Sequence, residues 1–428
     1  MALRNLTMEA ATPSVQQGGA RAWGVWCIAV AFVSYYFSFQ TGYSIVNANV
    51  QKDVGLSVAQ VGHIAALYTW VLAACQFLSG PLFDRLGARS VLLPAMVLVT
   101  LGVFTFANAN SFGMLLVAQA CVALGSCTGF VGAGYIGGTW FGWHKFSFMF
   151  GLVQFAASML AVFTQNLLTL ALSVLPWRTL FNGAGMGGVV LLGIAMVWLR
   201  DANTVTVPAG QTFGALLLSI PRSLAKVAKV PHVWAAAAFG ALCFGVLLSL
   251  GVVWGPKLMT IRGFGRESAN LASSLLWLGL AVGSFTIPWI SDRVQRRKLP
   301  VLIGLAVQMF ALVLLLYVPT KSSTFDMLLC FTFGLGNAVH MLAFSTAADV
   351  VAQQYIGTSA AMINGMFSII GGVMISRPGM RAGLGLEQGL TPATLELAQF
   401  AGRPLMAGLC LALIIALIMR ETYPARRH

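Results

Sequence analysis

The sequence predicts an all-α membrane protein that crosses the bilayer twelve times, as two repeats of six helices. Hydrophobic residues make up 58% of the 428 residues and charged residues only 8%, so the chain cannot leave its apolar surface in water. A ten-residue segment that follows one long apolar run returns in altered form 208 positions later, after another such run. This repeat indicates that one membrane-embedded half was duplicated.

Each predicted span is an apolar run long enough to cross the hydrocarbon core, which takes roughly 20 residues of α-helix. A helix suits such a run because it satisfies its own backbone groups where no water is present. The twelve spans cover residues 22–46, 58–82, 90–108, 113–136, 147–171, 180–199, 233–256, 269–290, 300–318, 327–346, 358–378 and 401–420.

A polar stretch in the middle of the chain divides it into halves. The predicted organisation is a tail over 1–21, a first half over 22–200, a linker over 201–232, a second half over 233–420 and a tail over 421–428. In the linker, Arg222, Lys226 and Lys229 follow at steps of four and three, on one face of a short helix. This helix either lies on an anionic membrane surface or is simply a basic loop.

The net charge of +14 raises the question of nucleic-acid binding. If the N-terminus is cytoplasmic, sixteen of the 25 Lys and Arg residues fall on the cytoplasmic side, as the positive-inside rule requires. The charge therefore orients the chain in a bacterial-type cytoplasmic (inner) membrane with both termini cytoplasmic, and we expect no nucleic-acid partner.

The seven cysteines form an odd number and all fall inside predicted spans, so we expect no disulfide or CxxC metal site. The first twenty residues are polar and show no apolar core followed by a cleavage site, which predicts that span 1 is an uncleaved insertion signal.

The repeated segment reads GPLFDRLGAR in its first copy and PWISDRVQRR, over residues 288–297, in its second. Its chemically informative residues are Gly80, Asp84, Arg85, Gly87 and Arg89, with the echo at Asp292, Arg293 and Arg297. Pro288 and Gln295 replace the two glycines of the first copy, so a tight turn is less assured in the echo.

These residues match the GxxxDRxGxR signature between the second and third helices of the major facilitator superfamily, which the chain resembles over essentially its full length. Weaker matches are IGTSAAMING (356–365) and IMRET (418–422). The resemblance implies alternating access around a midplane site, lined by the first, fourth, seventh and tenth helices. It also implies that the signature is a latch that ties helix 2 to helix 11 and favours the outward-open state.

The residues themselves suggest how such a latch is built. Gly80 permits close helix approach, and Gly87 can adopt the left-handed backbone of a tight turn. Asp84 can pair with Arg85 or Arg89, or accept N–H groups at the N-terminus of a neighbouring helix. Alternatively, the segment is only a basic loop with one counter-ion.

Two features common in parts of this superfamily are absent. The stretch VAQACVALGSCTG (117–129) lacks the helix 4 arginine of many proton-coupled members, and span 5 lacks the Gly-Pro motif of drug antiporters. Multidrug efflux is therefore disfavoured, and proton coupling loses one common support. No catalytic constellation or ATP-binding phosphate loop has recognisable spacing, so we expect neither an enzyme nor a cofactor.

Polar side chains inside the spans are the candidates for substrate contact, since such groups are costly to expose to lipid. In span 1, one helical face carries four of them, unless that face is an interhelical hydrogen-bonded seam. His340 is a further candidate, although a neutral histidine bonded to a neighbour is the commoner situation. The candidates inside the spans are Tyr36, Gln40, Tyr43, Asn47, Tyr135, Gln154, Asn337, His340 and Asn364.

None of the eleven acidic residues falls in the middle of a span, which disfavours a divalent-cation site. Cations lie at the outer ends of spans 7, 11 and 12, where they would either attract an anion or anchor the helices at the interface. They are Lys257, Arg377, Arg381 and Arg403, of which Arg377 and Arg381 are candidates for substrate binding.

The sequence thus predicts a secondary transporter that moves a small polar or anionic organic solute, with a coupling proton or counter-substrate, as a monomer in the lipid bilayer. One alternative is an iron or other metal-ion transporter, since TGYSIVNANVQKDVGLS (41–57) is similar to facilitator-type proteins of magnetosome membranes. A second alternative is a non-transporting sensor or assembly factor with the same fold.

Overall fold

The fold was obtained as a computed structural model that describes residues 18–202, 213–318 and 322–423. The predicted tails before residue 18 and after residue 423 lie outside the described residues. The helices are α1 (Ala20–Val54), α2 (Val58–Ala107), α3 (Phe112–Phe141), α4 (Phe146–Ala171), α5 (Trp177–Trp198), α6 (Phe213–Ala228), α7 (Pro231–Leu248), α8 (Gly255–Ile261), α9 (Arg266–Val294), α10 (Lys298–Tyr317), α11 (Ser323–Asn337), α12 (Leu342–Ala348), α13 (Ile356–Glu387) and α14 (Leu395–Ile418).

The predicted all-α architecture of twelve crossings in two halves is confirmed. In the described ranges, ten helical segments are long and apolar enough to cross a membrane. One of them, α2, changes direction at Gly87 and so contains two of the predicted spans. The 26-residue α4 adds the remaining crossing.

Several helices begin at hydroxyl-bearing residues that cap their first turn. Ser57 accepts a hydrogen bond from the backbone N–H of Gln60, whose side chain accepts one from Ser57 in return. Ser111, Ser322 and Thr394 cap α3, α11 and α14 in a similar way. These side chains satisfy backbone donors that the helix itself leaves unpaired.

Two spans that the sequence predicts as continuous helices are interrupted in the second half. The helix that begins at α7 widens into a π-helical turn over Ser249–Trp254 before α8, and Ala338–Met341 form a 3₁₀ turn between α11 and α12. The widened turn comes just before Pro256, which cannot donate a backbone hydrogen bond.

The two halves share one hydrophobic core, which runs the length of the first half. It joins the second half at the end of the bundle that carries the Gly80–Arg89 segment, which we call the motif end. That core combines buried residues of α1 to α5 with those of α7 and α13, such as Phe150, Phe239 and Phe367. A second core, at the opposite or far end, is built from the second half alone and includes Leu276 and Phe333. The halves are thus packed together at the motif end.

The linker contains the predicted short basic helix, α6, which packs against α2 and α13. One face is buried through Ser223 and Val227, while Arg222 and Lys229 are exposed. Lys226 Nζ lies 3.0 Å from the hydroxyl of Tyr355, the residue before α13 begins. The apolar face of this helix therefore covers the protein itself.

Candidate functional site

The first copy of the motif connects the two halves through a carboxylate. Asp84 Oδ1 accepts a hydrogen bond from the backbone N–H of Gly357 at 3.0 Å. Asp84 Oδ2 accepts from the backbone N–H of Thr358 at 2.8 Å and from its hydroxyl at 2.6 Å. Of the possible partners of Asp84, the structure selects the N-terminus of α13, where a negative charge also complements the helix dipole.

Gly80 allows this contact by bringing α2 and α13 together. A Cβ atom built at Gly80 would stand 2.1 Å from the carbonyl oxygen of Gly357, which no real side chain tolerates. The close approach predicted for Gly80 is therefore present, and its partner is the first turn of α13.

The other motif residues organise the turn within the first half. Gly87 has φ of 76° and ψ of 171°, so its φ is positive, as predicted, with an extended ψ. The backbone N–H groups of Ala88 and Arg89 donate to Asp201 Oδ1, the latter at 3.1 Å. Arg89 also donates to the carbonyl oxygens of Leu199 and Met196 at the end of α5. Arg85 is half-buried and interacts electrostatically with Asp84.

The hydrogen bonds of the echo stay within the second half, while His144 of the first half interacts electrostatically with Asp292. The Arg297 guanidinium donates to Asp292 Oδ1 and, at 3.1 Å, to Asp349 Oδ2 at the end of α12. Arg293 is exposed, and its guanidinium lies 5.4 Å from the ring centre of Trp289. The expectation of a less assured turn is wrong, because Gln295 adopts the left-handed conformation (φ 56°, ψ 40°) that a glycine would favour.

Burial and ionic partners act against each other in this network. Burial raises the pKa of Asp349 to about 6, although the Arg297 guanidinium opposes that rise. Burial also works against the charge on Arg297, but Asp349 and Asp292 hold its pKa above the ordinary value. The charged pairs are thus maintained by mutual attraction in a partly desolvated setting.

A second acidic residue caps the corresponding helix of the second half. Glu421 accepts from the backbone N–H groups of Arg297 at 2.7 Å and Lys298 at 3.1 Å, where α10 begins. Burial alone would raise the pKa of Glu421, but hydrogen bonds from four backbone N–H groups lower it below its usual value. Glu421 therefore does for α10 what Asp201 does for the second arm of α2.

Asp201, which caps the second arm of α2, was not among the residues predicted from the sequence. A signal was available, because Arg200-Asp201 and Arg420-Glu421 each follow the last helix of a half. The IMRET segment therefore has a counterpart in WLRDA (198–202). In each segment, the acidic residue caps the helix that follows the motif turn of its half.

An aromatic cluster closes the space between the halves near the motif end. The rings of Phe150 in α4 and Phe344 in α12 stack with centres 4.5 Å apart. Phe130 of α3 lies 6.0 Å from Phe344, and Phe367 of α13 lies 5.4 Å from it. Such rings exclude water and seal the interior at this level.

The polar face of α1 turns into the first half. Tyr36 is buried and packs over Gly129 of α3, where a Cβ atom would approach the ring to 2.4 Å. Tyr43 donates to the carbonyl oxygen of Val61 in α2 at 3.1 Å. Gln40 and Asn47 are half-buried. Tyr43 thus takes part in the interhelical seam that was the alternative reading of this face.

Two buried hydroxyls that sequence reasoning missed lie beside Tyr36. Tyr68 of α2 is 4% exposed and Ser126 of α3 is 2% exposed. Within the described ranges, the two hydroxyls are neighbours that interact with each other, but neither oxygen has a partner with good hydrogen-bonding geometry. Tyr36 and Tyr68 interact electrostatically and are both buried in hydrophobic surroundings. Unsatisfied buried hydroxyls are uncommon, so these two are available to a bound polar molecule.

The position of Tyr68 relates it to the boundary between the halves. Gln76, eight residues later in α2, accepts a hydrogen bond from Ser368 of α13 at 2.9 Å. Eight residues at about 100° each place Tyr68 about 12 Å along the helix from Gln76 and rotated by about 80° around it. Tyr68 therefore lies two turns towards the far end from this inter-half contact, midway along its helix.

His340 belongs to a buried polar cluster in the second half. Its Nδ1 lies 2.9 Å from the carbonyl oxygen of Asn337, and its ring stacks on Phe244 with centres 4.6 Å apart. Asn337 Nδ2 donates to the carbonyl oxygen of Cys243 at 2.6 Å. Asn337 Oδ1 is buried without a hydrogen-bond partner among the described residues. The structure thus supplies the neighbour that a neutral histidine needs.

The remaining interior candidates lie apart from this cluster. Gln154 donates to Ser158 of its own helix at 2.9 Å. Asn364 is half-buried in α13. Tyr135 does not close its span, because α3 continues to Phe141; its ring stacks on Phe83 at 5.6 Å in the motif region.

The outer cations do not form one cluster around a mouth. Arg381 donates to the carbonyl oxygen of Phe400 at 3.3 Å, and the guanidiniums of Arg381 and Arg403 lie 4.3 and 4.9 Å from the Phe400 ring centre. Lys257 lies over Trp254 at 4.7 Å, and Arg377 is exposed. Among the described residues, no group of three or more His, Cys, Asp or Glu side chains is placed to hold a metal ion.

Comparison with known proteins agrees with this geometry. The family model described as Major Facilitator Superfamily matches residues 27–376. The probable sulfoacetate transporter of Cupriavidus necator is 23% identical over 83% of this chain and 87% of its own length. The probable nitrate/nitrite transporter of Mycobacterium tuberculosis is 25% identical over 62% of this chain and 66% of its own length. The D-galactonate transporter of Escherichia coli is 20% identical over 77% of this chain and 81% of its own length.

Proposed function

The chain belongs to the major facilitator superfamily, and from that premise we propose that it carries a small polar or anionic organic solute by rocking its two halves. It is a multi-pass membrane transport protein and not an enzyme. The contact between Asp84 and the start of α13 carries the proposal, because it joins the halves through hydrogen bonds that a helix movement can break.

The described conformation is closed at the motif end. Gly80 meets Gly357 there, and the symmetry-related contact brings Gly151 of α4 against Ser284 of α9, where a Cβ atom would stand 1.9 Å from the Ser284 carbonyl oxygen. The aromatic cluster seals the layer beneath. With a cytoplasmic motif end, this is a state closed to the cytoplasm, and opening on that side requires both contacts to separate.

The names of the relatives support the substrate class, since sulfoacetate, nitrate and galactonate are small polar anions. The buried, poorly paired hydroxyls of Tyr68 and Ser126, with Tyr36 beside them, support a midplane position for the substrate. Hydroxyl groups bind carboxylate, sulfonate or sugar oxygens by donating hydrogen bonds. The predicted contribution of Gln40, Asn47 and the outer arginines stays part of the proposal.

The finer points of the proposal follow the sequence. The proposed halves cover residues 22–200 and 233–420. Both termini are proposed to be cytoplasmic, and the membrane is proposed to be a bacterial inner membrane. A proton or a counter-substrate supplies the energy for uphill transport, and the protein works as a monomer.

Counterflow into proteoliposomes tests the substrate class. Liposomes that contain the purified protein are loaded with one unlabelled solute from a panel of sulfonates, sugar acids, nitrate and ferrous iron. Uptake of the labelled form of the same solute is then measured, with and without a pH gradient. Tyr68→Phe removes a hydroxyl whose neighbour among the described residues is the Ser126 hydroxyl, so we expect a rise in the half-saturation concentration of roughly tenfold with little change in stability. Tyr317→Phe, at a residue with an exposed side chain, is the matched control.

Other results would redirect the proposal. Iron accumulation that depends on His340, without flux of any organic anion, would favour the metal-ion alternative, including a magnetosome location. If no solute moves while Asp84→Ala disrupts a complex with another protein, the chain is a sensor or assembly factor.

A further inference from the structure

A groove of about 720 Å3 lies on the outer face of the second half, where α7 begins and α14 ends. This volume falls in the range of about 300 to 1,000 Å3 that is usual for small-molecule sites. Its lining comes from two packed helices and has no role in the latch or the interior described above. The lining residues are Pro231, His232, Trp234, Ala235, Ala238, Ile415, Ile418, Met419 and Arg420.

The groove is polar at one end and apolar along the rest. Arg420 is exposed beside His232 at the motif end of both helices, and the two side chains interact electrostatically. His232 Nε2 is buried and has no hydrogen-bond partner in the described part of the chain. From there, Ala235 and Ala238 extend the lining along α7 and Ile418, 78% exposed, along α14. The six residue steps from His232 to Ala238 span about 9 Å along the helix.

Exposed tryptophans place the polar end at the surface of the bilayer. Trp234 is 42% exposed, and Trp23, Trp198 and Trp289 are 44%, 64% and 50% exposed near the motif-end termini of α1, α5 and α9. Tryptophan concentrates at the level of lipid headgroups. The cationic end of the groove therefore lies at headgroup level, and its apolar walls continue into the hydrocarbon region.

We propose that this groove is a binding site for an anionic phospholipid, whose phosphate contacts Arg420 and His232 and whose acyl chain lies along the alanines of α7 and the isoleucines of α14. The arginine forms charge-assisted hydrogen bonds with phosphate oxygens, and the free imidazole nitrogen supplies a further contact. The apolar walls commit the site to a lipid, since a free phosphate ion makes no use of them. The site needs neither the proposed substrate nor the latch.

Native mass spectrometry of the full-length protein, titrated with phosphatidylglycerol or phosphatidylcholine of the same chain length, tests this site. The wild type should retain phosphatidylglycerol in preference. Arg420→Gln should reduce that preference about fivefold, because it removes the full positive charge at the headgroup end of the groove. His232→Gln removes only the imidazole contact to the phosphate and should reduce the retention of phosphatidylglycerol to a smaller extent. Ala238→Phe, which fills the groove, should reduce retention of both lipids.

Arg296→Gln is the matched control, since Arg296 is an exposed cation at the same end, outside the groove. The proposal fails if Arg420→Gln and His232→Gln retain phosphatidylglycerol as the control does, or if inorganic phosphate displaces the lipid. Melting temperatures of all variants separate loss of the site from loss of the fold. If Arg420→Gln or His232→Gln does not fold, lipid retention by Ala238→Phe tests the site instead.

Discussion

Asp84 and Thr358 form two hydrogen bonds across the boundary between the halves, from the Thr358 backbone at 2.8 Å and from its hydroxyl at 2.6 Å. Asp292, at the matching place in the second copy, instead bonds to Arg297, five residues further along the same half. The duplicated aspartates therefore hold different elements, and of the two only Asp84 has hydrogen bonds to the other half among the described residues.

We expect Asp84→Asn to reduce the initial rate of transport on the order of tenfold, and Asp292→Asn less than about twofold. The amide weakens charge-assisted hydrogen bonds that hold the closed state, each worth about 1.5 to 3 kcal/mol. Initial uptake rates in proteoliposomes at matched protein density measure both. Equal losses in the two variants would show that the bridge between halves is not what matters.

Gly80→Ala should force the motif end apart, since the new methyl group would stand 2.1 Å from the Gly357 carbonyl oxygen. Increased labelling of a cysteine placed at Ser359, buried at the start of α13, reports the opening. Gly62→Ala, on the same helix, is the control, because a Cβ atom built at Gly62 has no neighbouring atom within 4 Å. Labelling that rises equally in both variants would contradict a specific role for Gly80.

Asp201→Ala should destabilise the protein by about 1 to 2 kcal/mol, the usual cost of losing a helix cap. The carboxylate accepts from Ala88 and Arg89, whose N–H groups begin the second arm of α2. Asp201→Asn keeps an acceptor and should recover part of the loss. Thermal unfolding in detergent measures the series, with exposed Glu387→Ala as reference. An unchanged midpoint of thermal unfolding for Asp201→Ala would contradict a stabilising role of Asp201 in the motif turn.

Asp349 should make stability depend on pH. Burial raises its pKa from 3.8 to about 6, so the folded protein binds this proton more tightly than the unfolded chain does. The stability that this proton contributes to the folded protein is therefore fully present below the ordinary pKa of the carboxyl group and is lost as the pH rises through about 6. Between about pH 5 and about pH 7.5 we expect a loss of about 1 kcal/mol that Asp349→Asn does not show.

The comparison is made by thermal unfolding of wild type and Asp349→Asn at the two pH values, because other groups that titrate in this range affect both proteins. If the difference between the two proteins stays constant with pH, Asp349 is not a titrating group in this window.

The course of the main chain was largely predictable. Apolar runs of about 20 residues give helices because the bilayer offers no other partner for the backbone, and the predicted spans coincide with described helices to within several residues at most ends. The interruptions at Ser249–Trp254 and Ala338–Met341 were not predicted, since hydropathy does not distinguish an α-helical turn from a wider or tighter one.

The site was less predictable than the fold. The spacing of the first copy pointed to Asp84 and Gly80, but the partner of a carboxylate depends on which helix end lies opposite. Asp201, Tyr68 and Ser126 escaped notice for the same reason. A tyrosine or serine inside an apolar run becomes informative only when its neighbours are seen to leave its oxygen unpaired.

Local sequence therefore settled the properties that depend on composition and short-range spacing: a membrane-spanning chain, two related halves, and a turn built on Gly87. Packing between residues far apart in the chain decided the rest. Asp84 and Thr358 are separated by 274 positions, yet their bond closes the motif end. Gln295 takes a backbone conformation that its own type disfavours, because the Arg297 network and the Glu421 cap fix the ends of that turn.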